Sequence, residues 1–127
     1  MANYGPPATV PEKYRLANRR FYEWNPSVTL MRTNVSENRE MGEIFARKAN
    51  AAKGPVAFLL PLRGVSMLDG DDQPFCDRDA DSAMFQAIKS NLKPHIPVVE
   101  IDVNINDPAF AAKAVGMMLE LIRQTKS

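Results

Sequence analysis

Three short apolar segments of this chain are each followed by a polar loop and then by a helical pattern. They cover residues 28–32, 56–62 and 98–103. Strand, crossover helix and strand in this order build a parallel sheet, and such sheets bind ligands beyond the carboxyl ends of their strands. The order predicts a three-layer α/β fold, in which a small and mainly parallel sheet is flanked by helices. The three polar loops are then expected at one edge of that sheet.

The composition is typical of a globular protein. The 127 residues are 45% hydrophobic and 24% charged, with a net charge of +1, which argues against a nucleic-acid-binding surface. The single cysteine, Cys76, cannot form an internal disulfide, which fits a reducing cytoplasm. No apolar run reaches the length of a membrane span, and the first residues lack a signal-peptide pattern. We therefore expect a cytoplasmic protein without nucleic-acid or membrane partners.

Residues 1–27 differ from the rest of the chain because they hold five of the ten aromatic side chains. Disordered tails lack so much aromatic surface, so this segment is expected to pack as a docking arm. Its apolar residues have helical spacing and indicate a short helix that ends before Pro26. Those residues are Tyr14, Ala17, Phe21 and Trp24. The predicted domains are thus this arm and an α/β lobe over residues 28–127.

The charge distribution and the arm both favour self-association. Residues 1–53 carry nine Lys or Arg and five Asp or Glu, whereas the remaining residues carry seven and ten. The two halves have opposite net charge, so each can attract the other half of a second copy. We expect a homodimer with the arm at the contact.

Three helices are predicted after the three polar loops, over residues 36–54, 79–92 and 107–124. The last has the clearest start signal, with Asp107 as the N-cap and Pro108 at the first helical position. The residues predicted to face the core are Met41, Ile44, Phe45, Ala49 and Ala52 in the first helix, Met84, Phe85, Ala87, Ile88 and Leu92 in the second, and Phe110, Ala114, Val115, Met118, Leu119 and Ile122 in the third.

The loop after the most apolar segment is the strongest candidate for a ligand loop. There, the guanidinium of Arg63, the flexible Gly64 and the Ser66 hydroxyl follow the predicted central strand. A guanidinium and backbone amides can bind an anion such as phosphate or carboxylate. The alternative is that Gly64 serves a tight turn and Arg63 pairs with a downstream aspartate. From the residues alone these two interpretations are equally favoured.

The other two polar loops add further candidates. Arg32 and Thr33 lie at the end of the first segment, and Asp102 and Asn104 lie at the end of the third. An acidic residue at a strand end can bind a ribose hydroxyl, and an asparagine amide can recognise a base or a carboxylate. The alternative is that Asn104 connects the loop backbone through a side-chain turn. The predicted ligand-binding residues are Arg32, Thr33, Arg63, Gly64, Ser66, Asp102 and Asn104.

No metal site or catalytic residue is assigned. Six aspartates lie within residues 69–81, but Ser82 and Ile88 replace the glycine and glutamate that a calcium loop needs. This stretch is therefore interpreted as a solvated acidic loop that also caps the second helix. The alternative is that it holds a magnesium ion carried in by a nucleotide. A Ser66 nucleophile is disfavoured because His95, the single histidine, is expected at the other end of the sheet. An enzyme would instead use Asp102 or Asp69 as acid or base.

The chain resembles the C-terminal part of the Tm-one-like ATP-binding family, which includes bacterial proteins and a tomato mosaic virus resistance inhibitor. The segments that carry the resemblance are NYGP (3–6), TVPE (9–12), NP (25–26), TLMRT (29–33), EN (37–38), GPV (54–56), PLRGVS (61–66), QPF (73–75), Asp77, AD (80–81) and INDP (105–108). Family members are about three times longer and have two Rossmann-like lobes, so the chain is expected to form the closing part of the second.

The resemblance implies nucleotide binding, with ATP and magnesium as the ligands, and dimerisation. It implies no particular reaction. The strand-end loops themselves also suit another small phosphorylated ligand. The leading hypothesis is therefore a ligand-binding module. The alternative is a subunit or truncated piece of a hydrolase or lyase that a missing lobe completes.

Overall fold

The computed structural model describes residues 1–126. The strands are β1 (Ala2–Tyr4), β2 (Phe21–Asn25), β3 (Val28–Met31), β4 (Phe58–Pro61) and β5 (Val98–Ile101), and the α-helices are α1 (Glu12–Leu16), α2 (Val35–Asn50), α3 (Arg78–Asn91) and α4 (Pro108–Lys126). A short 3-10 helix covers Pro7–Thr9. Met1–Asn34 form one compact unit, and the second unit begins at Val35.

The first unit contains an antiparallel sheet with the strand order β1-β3-β2. Leu30 of β3 lies opposite both Asn3 and Tyr22. The sequence predicted that β3 would join a parallel sheet, and this is wrong. β2 and β3 are separated by only two residues, and strands this close in sequence form a hairpin, in which Ser27 N donates to Asn25 Oδ1 (2.8 Å).

The helix predicted along the arm ends earlier than its spacing indicated. α1 ends at Leu16, and Asn18 has a φ of +52°, a left-handed conformation that stops a helix. Phe21 and Trp24 lie in strand β2, so the prediction that they belong to a helix is wrong. Trp24 is 55% exposed, and its docking onto a second subunit stays a prediction.

The second unit contains β4 and β5, which pair in parallel with Leu60 opposite Glu100. α3 covers this pair, because Leu60, Phe85 and Ile88 form one buried cluster. The inward face predicted for α3 is thus confirmed, since Phe85, Ala87 and Ile88 are buried. The α/β class is also confirmed, with one parallel pair and one antiparallel sheet.

α2 packs against α3 through small and polar residues. Asn38, Gly42 and Ala46 are buried on α2, whereas Phe45, predicted to face the core, is 47% exposed. A β-carbon at position 42 would lie 2.4 Å from the Met84 carbonyl oxygen. The two helices therefore approach so closely that only a glycine fits at position 42. For this reason the contact between α2 and α3 is formed by small residues and not by the large apolar ones.

We expect Gly42→Ala to lower the free energy of unfolding by about 1–3 kcal/mol, because the added methyl group forces α2 away from the α3 backbone. Gly116→Ala is the matched control, since nothing lies within 4 Å of a β-carbon at position 116 in α4. That control should gain roughly 0.5–1 kcal/mol from helix propensity. Urea denaturation followed by circular dichroism measures both, and equal midpoints for Gly42→Ala and the wild type would contradict the close approach.

α4 begins as predicted. The Asp107 carboxylate accepts a hydrogen bond from Ala109 N (2.8 Å), and Pro108 is the first helical residue. We expect Asp107→Ala to lower the free energy of unfolding by about 0.5–2 kcal/mol, because this amide loses its acceptor. Asp107→Asn should retain most of the stability, since asparagine caps nearly as well. Thermal denaturation checks both, and a wild-type melting temperature for Asp107→Ala would show that the cap contributes nothing.

The inward face predicted for α4 is largely wrong. Phe110 and Ala114 are partly buried, but the rest of that set is exposed and no residue of α4 is fully buried. The exposed members are Val115 (60%), Met118 (57%), Leu119 (49%) and Ile122 (43%).

In residues 1–126, no helix is both long and apolar enough to cross a membrane.

Candidate functional site

The candidate site lies at the carboxyl ends of β4 and β5. Backbone pairing continues past the strands, because Leu62 N donates to Ile101 O (2.9 Å) and Arg63 N donates to Val103 O (3.1 Å). The loops that follow the two strands therefore leave the sheet side by side. This is the edge at which parallel sheets bind ligands.

Gly64 allows the two loops to come together. Its φ is +120°, a backbone conformation that other residues rarely adopt. Its carbonyl oxygen accepts a hydrogen bond from Ile105 N (3.0 Å). A β-carbon here would lie 2.5 Å from the Asp69 carbonyl oxygen and 2.8 Å from Asn104 Nδ2. The tight turn that the sequence allowed for this glycine is therefore present.

Asn104 connects the loop after β5 to the loop after β4. Its Nδ2 atom donates to the carbonyl oxygens of Arg63 (3.1 Å) and Ser66 (3.0 Å). Its Oδ1 atom accepts from the backbone amide of Asn106 (3.0 Å). Both ends of the side chain amide are thus bonded to loop backbone, which is the alternative role that the sequence left open.

Asp69 organises the loop between β4 and α3. Its carboxylate is almost completely buried and accepts hydrogen bonds from Val65 N (2.9 Å) and Asp77 N (3.2 Å). Arg78 Nη1 lies 3.4 Å from the same carboxylate. A buried carboxylate needs such partners, because an unpaired buried charge is very unfavourable. These bonds give Asp69 a structural role and occupy the oxygens that an acid or base would use.

Arg78, at the start of α3, is the site residue that the sequence interpretation missed. Its guanidinium forms ion pairs with Asp69, Asp71 (2.8 Å) and Asp81 (3.0 Å) and also donates to Arg63 O (3.0 Å). Partial burial alone would lower the pKa of Arg78, but the hydrogen bond to Asp71 and the other acidic neighbours raise it overall. Within residues 69–81, Arg78 is the single basic residue among six aspartates, and this is the sequence feature that could have identified it as a site residue.

Arg63 is the exposed cation of the site. Its Nη1 atom pairs with Asp71 (3.0 Å) and its Nε atom with Asp102 (3.1 Å). These hydrogen bonds raise the pKa of Arg63. The hydrogen bond from Arg78, followed in size by the hydrogen bond from Arg63, holds the pKa of Asp71 below its usual value. Arg63, Arg78 and Asp71 are therefore charged at neutral pH.

Five of the seven predicted ligand-binding residues meet at this edge, and we call them the loop cluster: Arg63, Gly64, Ser66, Asp102 and Asn104. The Ser66 hydroxyl accepts from Asp69 N (3.2 Å). Arg32 and Thr33 lie in the first unit. There, Arg32 is 5% exposed and its amide donates to Arg20 O (3.0 Å). Their part in a ligand site stays a prediction.

Three of the six aspartates of residues 69–81, Asp69, Asp71 and Asp81, surround the guanidinium of Arg78. Accordingly, residues 1–126 contain no group of three or more His, Cys, Asp or Glu that could hold a metal ion. A cavity of about 270 Å³ lies beside Arg78 and also includes Asp81 and Lys89 in its lining. His95 is exposed and precedes β5, at the opposite end of the parallel pair from Ser66.

The fold and the loop cluster define a small α/β domain with an ion-paired edge at the ends of two parallel strands. The chain belongs to the uncharacterised protein family UPF0261, whose C-terminal domain matches residues 1–122. It is 46% identical over 125 residues to a UPF0261 protein of Mesorhizobium japonicum, covering 97% of this chain and 31% of that protein. It is 37% identical over 125 residues to one of Clostridium tetani, covering 98% and 30%.

A plant relative is also similar. The ToMV resistance protein Tm-1 of Solanum lycopersicum is 35% identical over 123 residues, which are 95% of this chain and 16% of that protein. The resemblance predicted from the sequence motifs is therefore confirmed. The chain spans about a third, or less, of the length of the curated relatives it matches.

Proposed function

We propose that this domain belongs to a nucleotide-binding protein, and that the loop cluster binds the phosphate groups of ATP or of another small phosphorylated ligand. The supporting observation is the guanidinium of Arg63, which is 53% exposed at the carboxyl ends of β4 and β5. Among the described residues 1–126, its Nη2 atom has no hydrogen-bond partner. A donor is therefore available for a phosphate oxygen.

The charges around Arg63 favour a ligand that brings a metal ion. The side chains of Asp71 and Asp102 are 56% and 70% exposed, and two carboxylates repel a bare phosphate. Mg²⁺ is usually held by one or two carboxylates together with the phosphates of a substrate, whose negative charge it neutralises. Both oxygens of Asp71 are bonded to guanidinium groups, whereas Asp102 bonds Arg63 through Oδ1 alone. The cluster therefore fits a magnesium nucleotide, with Arg63 on phosphate oxygens and the Asp102 carboxylate on the ion.

We expect Arg63→Ala to weaken binding of magnesium ATP by about 10- to 100-fold, because a charge-assisted hydrogen bond contributes roughly 1.5–3 kcal/mol. Arg63→Lys should lose less, since it retains the charge but not the fork of donors. Isothermal titration of the chain with ATP, ADP and inorganic phosphate, each with and without Mg²⁺, measures the affinities.

Arg123→Ala is the matched control, because Arg123 is a highly exposed arginine on α4 whose ion pair is with Glu120. It should bind ATP as the wild type does. No heat from any of the ligands with folded wild-type protein would contradict nucleotide binding. Wild-type affinity in Arg63→Ala would instead remove the loop cluster from the site.

A further inference from the structure

The last helix, α4, has two stripes of apolar side chains along its surface. One stripe is partly buried in the structure, and the other is exposed. The inner stripe consists of Phe110, Ala114, Met117 and Leu121, all partly buried. The outer stripe consists of Val115, Met118, Leu119 and Ile122, which are 43–60% exposed. A surface helix of a globular protein normally has one apolar stripe, and apolar residues over most of its circumference indicate a helix that is covered on more than one side.

The charged residues of α4 support this interpretation. Three of its four charged residues, Lys113, Glu120 and Arg123, are exposed and fall outside both stripes when the helix is viewed along its axis at 100° per residue. The fourth, Lys126, is aligned with the outer stripe but lies at the last residue of the helix. The outer stripe itself has the spacing i, i+3, i+4, i+7, which is that of a helix face packed against another element. Four neighbouring apolar side chains left in water would be an aggregation liability, so this face is expected to have an occupant.

We propose that the outer stripe docks onto the region that precedes this domain in full-length UPF0261 proteins. The chain matches the C-terminal domain of the family, and more than two thirds of the length of the Mesorhizobium and Clostridium relatives lies outside the match. That region is joined covalently to the domain in those proteins, so its effective concentration at the outer stripe is high. The proposal does not depend on nucleotide binding.

The small size of the outer stripe favours this occupant over a second copy. One helix face with four apolar side chains buries roughly a few hundred Å², whereas a stable interface between separate chains needs about 800 Å² from each partner. A contact within one polypeptide needs less area, because the loss of translational freedom has already occurred. The outer stripe is thus large enough for contact between domains of one chain.

Cysteine labelling tests the proposal. Met118→Cys reports on the outer stripe, and Lys113→Cys reports on the polar side of α4. Each variant is labelled with a maleimide in this chain and in a full-length protein in which the preceding region of the Mesorhizobium relative is joined to it. Peptide mass spectrometry separates these cysteines from Cys76. We expect labelling at Met118→Cys to be about tenfold or more slower in the longer protein, and that at Lys113→Cys to change by less than about twofold.

Equal rates for Met118→Cys in the two proteins would overturn the proposal. If Met118→Cys labels slowly in the short chain and becomes fast on dilution, a second copy covers the outer stripe. If it labels slowly in the short chain at every concentration, residues 1–34 cover the outer stripe. Either result also overturns the proposal. If the joined protein does not fold, the natural Mesorhizobium protein is compared with its own matched 125 residues, with a cysteine at an outward apolar position of its last helix.

Discussion

Asp69→Ala is expected to lower the free energy of unfolding by about 3–5 kcal/mol, because two loop amides lose their buried acceptor and the partly buried Arg78 guanidinium loses one of its three carboxylate partners. Asp69 is 1% exposed and accepts from Val65 N, Asp77 N and Arg78. Since a small domain has a total stability of about 5–15 kcal/mol, this variant should be close to unfolded at 37 °C. Urea denaturation followed by tryptophan fluorescence and by circular dichroism measures the loss.

Two variants make this test specific. Asp69→Asn keeps one acceptor oxygen but loses the charge that faces Arg78, so its stability should lie between those of Asp69→Ala and the wild type. Asp79→Ala removes an exposed aspartate of the same acidic stretch, and it should change the stability by less than about 1 kcal/mol. If Asp69→Ala and Asp79→Ala unfold at the same urea concentration, Asp69 does not organise the loop.

Gly64→Ala should be the second most damaging substitution, with a loss of roughly 2–4 kcal/mol. Two effects contribute. A non-glycine residue at a φ of +120° is strained by about 1–3 kcal/mol. In addition, the new methyl group would meet the Asp69 carbonyl oxygen at 2.5 Å and Asn104 Nδ2 at 2.8 Å, so the loops must separate.

The readout for Gly64→Ala is local as well as global. Because Arg63 and Asn104 depend on the paired loops, their amide chemical shifts should change strongly, and affinity for magnesium ATP should fall with them. Gly54→Ala is the control, since nothing lies within 4 Å of a β-carbon at position 54 and its φ is not left-handed. Its stability should stay within about 1 kcal/mol of the wild type. A Gly64→Ala protein with wild-type shifts at Asn104 would show that the loops tolerate a side chain there.

Local signals in the sequence determined much of the helical framework. The Asp107-Pro108 start of α4, the inward face of α3 and the apolar strand β4 were all predicted correctly. Each depends on residues that are neighbours in the chain, such as an N-cap with the amide two residues later. The polar loops after β4 and β5 were also identified correctly as one cluster, because parallel strands end at the same edge.

Only the tertiary structure decided which elements meet. β3 pairs with β1 and β2, and α2 uses Gly42 rather than Phe45 against α3, because strand pairing and helix approach depend on distant parts of the chain. The outer stripe of α4 has the same periodicity as a buried face, so sequence alone cannot tell which apolar stripe a neighbour covers.

The same limit applies to the loop cluster. The sequence left open whether Arg63 and Asn104 bind a ligand or partners within the loops. The hydrogen bonds that join these two side chains to the other loop link residues 38 to 41 positions apart. Arg78 was missed because its three aspartate partners come together only when the loop folds around it. Residue type and local spacing therefore determined the candidate residues and helix ends of this protein, whereas contacts between distant segments decided the role of each charged group.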